Sequence, residues 1–163
     1  MNRPGKRPAA SAVEDNVYKI FPNDLNSERT VFGGLVMGLC DRTALIVAER
    51  HTGLTCVTAA IDSLHFISPA RAGETLIVKA KVNRAWNSSM EIGVKVITED
   101  PRDGQTRHVV SAYLTFVGLD SEGHPIQVPL VLPETDAEKR RYAAAEERRN
   151  VRMSARRNET RSM

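Results

Sequence analysis

The longest apolar run of the chain lies inside residues 24–51 and carries one carboxylate, Asp41, near its middle. Apolar side chains occupy nearly every face of this run, so the pattern predicts a helix covered by protein on nearly all sides. Gly33 and Gly34 open the run, and Gly53 follows it as a stop signal. Burying a lone carboxylate costs on the order of several kcal/mol unless it is paired or hydrogen-bonded. Asp41 must therefore be compensated by neighbours or used in chemistry.

Segments with strand patterns lie on both sides of this helix in the sequence. A short apolar segment at 17–21 is stopped by Pro22. Four longer segments follow the helix, and three of them alternate apolar and polar side chains with the period of two that strands have. These four segments are residues 55–67, 74–86, 89–99 and 106–119. The Asn87-Ser88 pair and a Pro-Arg-Asp-Gly turn at 101–104 join the last three, which suits antiparallel hairpins.

This order of elements predicts an α+β domain, in which a long central helix is wrapped by a curved antiparallel β-sheet. Such a sheet gives each alternating strand an apolar inner face and covers much of the helix. One sheet cannot enclose a helix, and its edge strands would be long and flat. We therefore expect a dimer that forms by edge pairing or by packing on the open side of the helix.

The two ends of the chain differ from its body in composition. Residues 1–14 are rich in Pro, Arg, Lys and Ala and predict a flexible arm before a domain at 15–133. Residues 134–163 hold nine Lys and Arg against six acids, so they contain the whole net charge of +3. A Thr135–Glu138 capping box predicts a helix to about residue 150, followed by a mobile basic tail. The balanced body argues against a nucleic-acid-binding face, and any such binding would fall on the tail.

Four features near the helix offer candidate chemistry, and each has an ordinary structural alternative. They are Asp41, the pair Gly33-Gly34, Asn26, and the turn residues Ser88 and Ser89. The acid can be a base or nucleophile, or a buried group satisfied by hydroxyls or backbone. The glycine N–H groups can bind an oxyanion, or the pair can serve only a tight turn. The Asn can polarise a carbonyl or form an Asx-turn, and the serines can hold phosphate or belong to an ordinary turn.

Several classes of site are not supported by the sequence. The four histidines are scattered, and no His-Glu-x-x-His or Cys/His cluster occurs, so no metal is expected. Motifs of serine hydrolases and of P-loop nucleotidases are missing as well. Cys40 and Cys56 lack the spacing of a disulfide framework and favour a reduced, cytoplasmic setting. The N-terminus lacks the apolar core of a secretory signal, and the run 31–48 is too short and too charged for a membrane span.

In their order along the chain, these motifs resemble a known family. The run from Pro22 to His51 is similar to the opening of hotdog-fold acyl-CoA thioesterases of the YciA and brain acyl-CoA hydrolase type. In that family an Asp-x-Asn segment leads through a Gly-Gly pair into a central helix that carries an Asp. The similarity continues through VTAAIDSLHFISPARAGE, KVNRAWNSSMEIGVKVITEDP, SAYLTFVGLD and PIQVPLVLPET, and it covers about residues 17–142.

The resemblance implies a hotdog fold, a homodimer that assembles into a homohexamer as a trimer of dimers, and hydrolysis of acyl-CoA. It implies no cofactor, because coenzyme A is part of the substrate. Asp41 would be the general base or nucleophile, and Asn26 of the partner subunit would position water or the carbonyl. The N–H groups of Gly33 and Gly34 would receive the thioester oxygen. Contacts to coenzyme A are implied for Thr58, Arg71, Ser88 and Ser89.

Two positions depart from the pattern of that family. Arg29 stands where the family has Gly in an Asn-x-x-Gly-Thr loop, and Arg42 stands where an acid follows the central Asp. Because Arg29 lies in the loop that presents Asn26, a second interpretation stays open. The chain would then be a non-catalytic hotdog protein that binds acyl-CoA or acts as an assembly subunit. A dehydratase of this fold would carry His five residues after the Asp, and that position is Ile46.

Overall fold

The computed structural model describes residues 4–162, with side chains described for residues 4–155. These residues form five strands and two α-helices. In chain order they are β1 (Val13–Lys19), α1 (Gly33–Thr52), β2 (Thr55–Phe66), β3 (Thr75–Ala85), β4 (Ser89–Glu99), β5 (Thr106–Leu119) and α2 (Asp136–Ser162). Short 3₁₀ turns at Pro8–Ala10 and Pro22–Asp24 flank β1. The central helix and the four long strands thus occupy the segments that the sequence predicts.

The five strands form one antiparallel sheet in the order β1-β3-β4-β5-β2. Apolar side chains on the same face of the sheet are paired across neighbouring strands. Val78 pairs with Val96, and Val94 pairs with Ala112. A register shift interrupts each strand pair, and such bulges bend a sheet. The predicted α+β hotdog arrangement, a long central helix wrapped by an antiparallel sheet, is confirmed.

The central helix α1 buries one face and leaves the other open. Val36, Cys40 and Val47 are completely buried against the sheet, whereas Met37 and Ile46 are each 40% exposed. A single chain therefore covers one side of α1, because one sheet can reach only one side of a helix, and cover of the open side by a partner chain stays a prediction. No helix in the described part of the chain is long and apolar enough to cross a membrane.

The first strand is longer and begins earlier than predicted. β1 spans Val13–Lys19 and pairs with β3 from Val13 to Lys19, so the predicted strand at 17–21 is wrong in its bounds. Pairing with β3 explains why the strand starts earlier, because backbone hydrogen bonds to β3 form whether the side chains of β1 are apolar or polar. Ile20, just beyond the strand, is buried and caps the core.

Residues of the predicted N-terminal arm lie against the domain. The backbone of Lys6 pairs with the exit segment at 130–132, through Lys6 N to Leu130 O and Leu132 N to Lys6 O, both 2.8 Å. Ser11 is completely buried, and the strand already starts at Val13. The arm at 1–14 is thus not separate from the fold over its described part. The division into arm, domain and tail otherwise stays a prediction.

The C-terminal helix α2 is longer than predicted and lies on the outer face of the sheet. The predicted capping box is present, since Glu138 N donates to Thr135 Oγ1 at 3.2 Å and Thr135 N donates to Glu138 Oε2 at 3.1 Å. The helix runs to Ser162, so an end near residue 150 is wrong. Arg148 forms two hydrogen bonds to Glu91, which is completely buried on β4. Beyond residue 150, Arg152 Nη1 donates to Asp62 Oδ2 on β2 at 2.7 Å, so the start of the predicted mobile tail also contacts the sheet.

Candidate active site

Asp41 lies two turns along α1, and β2 supplies a hydrogen bond to its carboxylate. Thr58 Oγ1 donates to Asp41 Oδ1 at 2.6 Å. Asp41 is half-buried, and its second oxygen, Oδ2, has no donor among the described residues. The acid is therefore held through one oxygen and can offer the other to a water molecule. Thr58 thus orients the candidate catalytic carboxylate, and its implied contact to coenzyme A stays a prediction.

Cys40, the residue before Asp41, does not compete as a nucleophile. Burial, with a further contribution from the negative charge of Asp41, raises the pKa of the Cys40 thiol to about 12. Because only the thiolate is nucleophilic, a thiol with this pKa stays inert near neutral pH. Within residues 4–155 no cluster of three His, Cys, Asp or Glu side chains could hold a metal ion.

Asn26 organises the loop that precedes α1. Its Oδ1 accepts hydrogen bonds from the backbone N–H groups of Glu28 at 3.0 Å and Thr30 at 3.2 Å, and Nδ2 donates to Thr30 Oγ1 at 3.0 Å. The Asx-turn interpretation of Asn26 is thus confirmed. These contacts occupy Oδ1 with backbone donors, and they leave the second N–H of Nδ2 without an acceptor in the described structure. Asn26 can therefore act as a hydrogen-bond donor toward a ligand.

Arg29 holds the most unusual backbone conformation of this loop. Its φ is +61°, in the left-handed region, and Arg29 N donates to Asn26 O at 3.0 Å. A residue with a Cβ costs roughly 1 kcal/mol more than glycine in this conformation. The Gly of the family's loop pattern would avoid this cost, so the loop keeps the expected shape around Asn26 with a less suitable residue at position 29.

The glycine pair begins α1 beside a cleft. No side chain caps this helix end, and the first N–H groups of an α-helix have no acceptor within the helix. A cleft of about 410 Å³ lies at this end, and Asn26 and Gly33 both line it. A Cβ on Gly33 would lie 3.3 Å from the ring of Phe66, so glycine allows the close approach of β2 here. Gly34 lies under the exposed Phe32 ring.

The other residues predicted to contact coenzyme A lie in two different places. Arg71 pairs with Thr30 in an isolated antiparallel bridge, so it joins the loop of Asn26. Ser88 O accepts from Gly118 N, and Ser89 pairs with Val117 on β5, whose other neighbour is the Thr58 end of β2. The serines are therefore at the end of the sheet where Asp41 lies.

A single chain does not bring the predicted catalytic residues together. Gly33 and Asp41 are eight residues apart on α1, which is about 12 Å along the helix axis. β2 runs antiparallel to the helix, because Phe66 contacts the Gly33 position while Thr58 contacts Asp41. Asn26 and the helix start thus lie near one end of β2, and Asp41 with Thr58 lies toward the other end.

Sequence reasoning missed most of the residues that form the cleft beside the helix start. The lining residues that it did not single out are Thr30, Val31, Phe66, Ile67, Ser68, Pro69, Ala70 and Val109. The exposed pair Phe66 and Ile67, at 51% and 55%, could have indicated a ligand or partner surface.

Comparison with known proteins gives concordant results. The family model described as Thioesterase superfamily matches residues 28–105. A Bacillus subtilis protein named as an uncharacterized acyl-CoA thioester hydrolase, YkhA, is 39% identical over 139 residues, which are 85% of this chain and 81% of that protein.

Solved structures are similar over nearly the whole chain. An acyl-CoA hydrolase from Staphylococcus aureus, in complex with butyryl coenzyme A, coenzyme A and coenzyme A disulfide, is 39% identical with a TM-score of 0.89, covering 98% of this chain and 96% of that one. Structures of that hydrolase include variants in which an aspartate, an asparagine or a threonine is replaced by alanine. A hexameric acyl-CoA thioesterase in apo form is 32% identical with a TM-score of 0.90, covering 94% and 97% of the two chains.

Proposed function

The chain belongs to the thioesterase superfamily and, within it, to the hotdog-fold acyl-CoA thioesterases, and on that premise we propose that it hydrolyses acyl-CoA to a carboxylic acid and coenzyme A. One observation carries the assignment of the site. Two hydrogen-bond donors suited to a thioester oxygen, Asn26 and the start of α1, line one cleft, and a carboxylate with a free oxygen, Asp41, lies at the other end of β2.

The two halves of the site meet if two chains pair through β2. β2 is an edge strand, and its exposed side chains include Val57 at 43% and Ile61 at 41%. A two-fold axis near Asp62 would place Thr58 of one chain opposite Phe66 of the partner subunit in an antiparallel pair. Each Asp41 then faces the cleft of the other chain, and a dimer holds two such composite sites.

Asp41 supplies the base or the nucleophile in this proposal. As a base, Oδ2 takes a proton from water, the resulting hydroxide adds to the carbonyl carbon, and the C–S bond breaks to release coenzyme A, whose thiolate then takes up a proton. As a nucleophile, the carboxylate itself adds to the carbonyl, the C–S bond breaks to release the coenzyme A thiolate, which takes up a proton, and water then cleaves the resulting anhydride. A positioned base contributes roughly 10²–10⁴ in rate.

Asn26 and the glycine pair bind the carbonyl oxygen. Since Asn26 Oδ1 is occupied by two backbone N–H groups, its contribution to the reaction is the free N–H of Nδ2. The N–H groups of Gly33 and Gly34 add the positive end of the helix dipole. One donor to a developing oxyanion is worth roughly 10²–10³ in rate.

The coenzyme A moiety is held outside these reacting groups. Arg71, beside the Asn26 loop, offers a guanidinium to a phosphate, and the turn residues Ser88 and Ser89 lie at the Asp41 end. The reaction needs no cofactor, because a thioester carbonyl is already electrophilic. A homohexamer built as a trimer of dimers and a cytoplasmic setting complete the proposal. The similarity to a hexameric thioesterase supports the first, and two buried free cysteines support the second.

Mixing of two inactive variants tests the function and the composite site together. Asp41→Ala removes the base, whereas Asn26→Asp keeps an oxygen acceptor for the loop and removes the Nδ2 donor. Each variant alone should lose at least a hundredfold in kcat on the acyl-CoA that the wild type hydrolyses fastest. When the two are unfolded together and refolded, heterodimers carry one intact site, so about a quarter of wild-type activity returns.

Other outcomes of this experiment contradict parts of the proposal. A mixture as inactive as its parents means that Asp41 and Asn26 act within one chain. Wild-type kcat in Asp41→Ala removes that acid from the mechanism. If the wild type releases no free thiol from acyl-CoA of any chain length from acetyl to palmitoyl, the chain is a binding or assembly subunit instead.

A further inference from the structure

Arg29 is the one residue other than glycine with a positive φ in the described part of the chain. Residues are held in such conformations when the surrounding contacts over-determine them, and they concentrate at functional sites. Here the surrounding contacts are explicit. Asn26 N donates to Thr30 O at 2.8 Å, Arg29 N donates to Asn26 O at 3.0 Å, and the Asn26 side chain bonds the backbone on both sides of Arg29.

The side chain of Arg29 has no role in holding this loop. It is exposed, and its guanidinium has no hydrogen-bond acceptor or acid in contact among the described residues. All contacts that shape the loop come from backbone atoms, Asn26 and Thr30. Glycine would serve the backbone better at this position, so the arginine side chain contributes nothing to the loop and is free to contact a ligand.

A second unpaired guanidinium lies beside Arg29. Arg71 is bridged to Thr30, the neighbour of Arg29, and it is exposed as well. The nearby acid Glu74 does not neutralise it, because Glu74 Oε2 accepts from the backbone N of Arg71 at 2.8 Å while Oε1 forms an ion pair with Arg107. Thr30 and Ala70 both line the cleft, so Arg29 and Arg71 are each adjacent in sequence to a lining residue, at what we call the rim of the cleft.

We propose that Arg29 and Arg71 together bind the phosphates of the coenzyme A moiety, and that Arg29 sets the preference of this enzyme for a phosphorylated thiol carrier. The inference rests on the proposed function and names the part of the substrate that these two residues recognise. Guanidinium groups bind phosphate oxygens through paired, charge-assisted hydrogen bonds, which a single ammonium cannot reproduce. The acyl carbonyl lies at Asn26 and Gly33 within the cleft, and the phosphates lie at its rim.

The inference accounts for the backbone of the loop. With an unstrained glycine at position 29, Asn26 would bind the carbonyl equally well, but the rim would lose one of its two arginines. Arginine adds a second cation at the expense of a strained φ. The affinity for the substrate then depends on Arg29, whereas the chemical step does not.

Steady-state kinetics on two substrates with the same acyl group test this assignment. One substrate is the acyl-CoA that the wild type hydrolyses fastest, and the other is the matching acyl-pantetheine, which lacks all phosphates. Arg29→Gly should raise KM for the acyl-CoA about tenfold, or about 1.4 kcal/mol, and change kcat less than about twofold. KM for the acyl-pantetheine should stay the same.

Two further variants separate charge from geometry. Arg29→Lys keeps the charge and loses the planar fork, so its KM for the acyl-CoA should lie between those of the wild type and Arg29→Gly. Arg140→Ala removes an exposed arginine of α2 far from the loop and should leave both substrates unaffected. The urea midpoint of Arg29→Gly should not fall, because glycine tolerates the left-handed conformation.

The remaining outcomes overturn the assignment. Equal increases in KM for both substrates would show that Arg29 shapes the loop and does not bind phosphate. No change for either substrate would remove Arg29 from binding.

Calorimetry with coenzyme A, 3′-dephospho-coenzyme A and pantetheine tests the same point without catalysis. Arg29→Gly should weaken coenzyme A about tenfold and leave pantetheine unchanged, and the dephosphorylated form identifies which phosphate is bound. If the wild type hydrolyses nothing, the proposed function fails while these binding constants still decide the role of Arg29. Equal affinity of wild type and Arg29→Gly for coenzyme A would refute the inference.

Discussion

Thr58 Oγ1 and Asp41 Oδ1 are 2.6 Å apart, so a hydroxyl on β2 fixes one oxygen of the carboxylate on α1. Thr58→Val keeps the shape of the side chain and removes this donor. A hydrogen bond to a charged group contributes roughly 1.5–3 kcal/mol. If the bond positions Asp41 for the reaction, kcat should fall by about tenfold or more in a standard thiol-release assay.

Thr58→Ser is the matched control, because serine retains the hydroxyl, and its kcat should stay within about threefold of the wild type. The urea midpoint of both variants should be close to that of the wild type, since Thr58 is exposed. A Thr58→Val enzyme with unchanged kcat would mean that the hydrogen bond does not matter for the reaction.

His51, at the end of α1, should make the stability of the protein dependent on pH. It is completely buried, and Nε2 contacts Pro129 O at 2.9 Å. Burial lowers the pKa of His51 below its usual value; the contact with Pro129 opposes this shift and the charge of Lys6 adds to it. The folded chain therefore holds His51 neutral, and the unfolded chain takes up a proton first as the pH falls through about 6.5.

The free energy of unfolding should thus have its full value above pH 7 and should decrease as the pH falls below about 6.5. Urea unfolding at pH 7.5, 6.5 and 5.5 measures this slope. His51→Gln retains an N–H for Pro129 O without a titratable ring, so its slope should be smaller. An identical slope for the variant would exclude His51 as the source.

The buried Glu91 depends on α2 for its partner. Arg148 Nη2 lies 2.7 Å from Glu91 Oε1, and Asn83 Nδ2 donates to the same oxygen at 2.9 Å. Arg148→Met leaves a carboxylate without its cation inside the protein, which should lower the free energy of unfolding by about 3 kcal/mol.

The double variant Glu91→Gln with Arg148→Met removes both charges and should recover much of this loss in urea titrations. Arg140→Ala, on the exposed side of the same helix, should have no measurable effect. If Arg148→Met is as stable as the wild type, α2 does not depend on this ion pair.

Ile61, on the open edge of the sheet, should control assembly and activity together. It is 41% exposed in a single chain, so Ile61→Glu costs little within one protomer but places a charge between two paired β2 strands. Sedimentation should show monomers, and activity should be lost because each proposed site needs two chains.

Val17→Glu provides the control for Ile61→Glu. Val17 is 63% exposed on β1, at the opposite edge of the sheet, so this variant should keep the β2 dimer and its activity. A fully active, monomeric Ile61→Glu protein would contradict the composite site.

Several local features could be predicted from the sequence because the residues that determine them are close together. Gly53 ends α1 in the left-handed conformation, and its N–H donates to Glu49 O at 2.7 Å, as its position after the apolar run predicts. The Thr135–Glu138 capping box is present, and the segment after Trp86 forms the predicted turn between β3 and β4.

The alternation of apolar and polar residues gave a wrong burial prediction for one strand, because alternation does not show whether another element covers the polar face. Glu91 falls on the polar side of β4 and looks like a solvated residue, but α2 covers that side and pairs the acid with Arg148. The partner is 57 residues away in the sequence, so no local pattern could indicate the contact.

The sequence by itself determined that the chain contains a central helix with one acid, a wrapped antiparallel sheet and a glycine pair at the helix start. These features follow from short-range periodicity and from the conformational limits of single residues. Only the tertiary structure decided how the site is divided. It joined Asp41 to Thr58 from a different element, placed Gly33 about 12 Å away along α1 with Asn26 beside the same cleft, and left the edge of β2 open. The physical reason is that the packing direction of β2 against α1, and not the order of residues, sets which side chains meet.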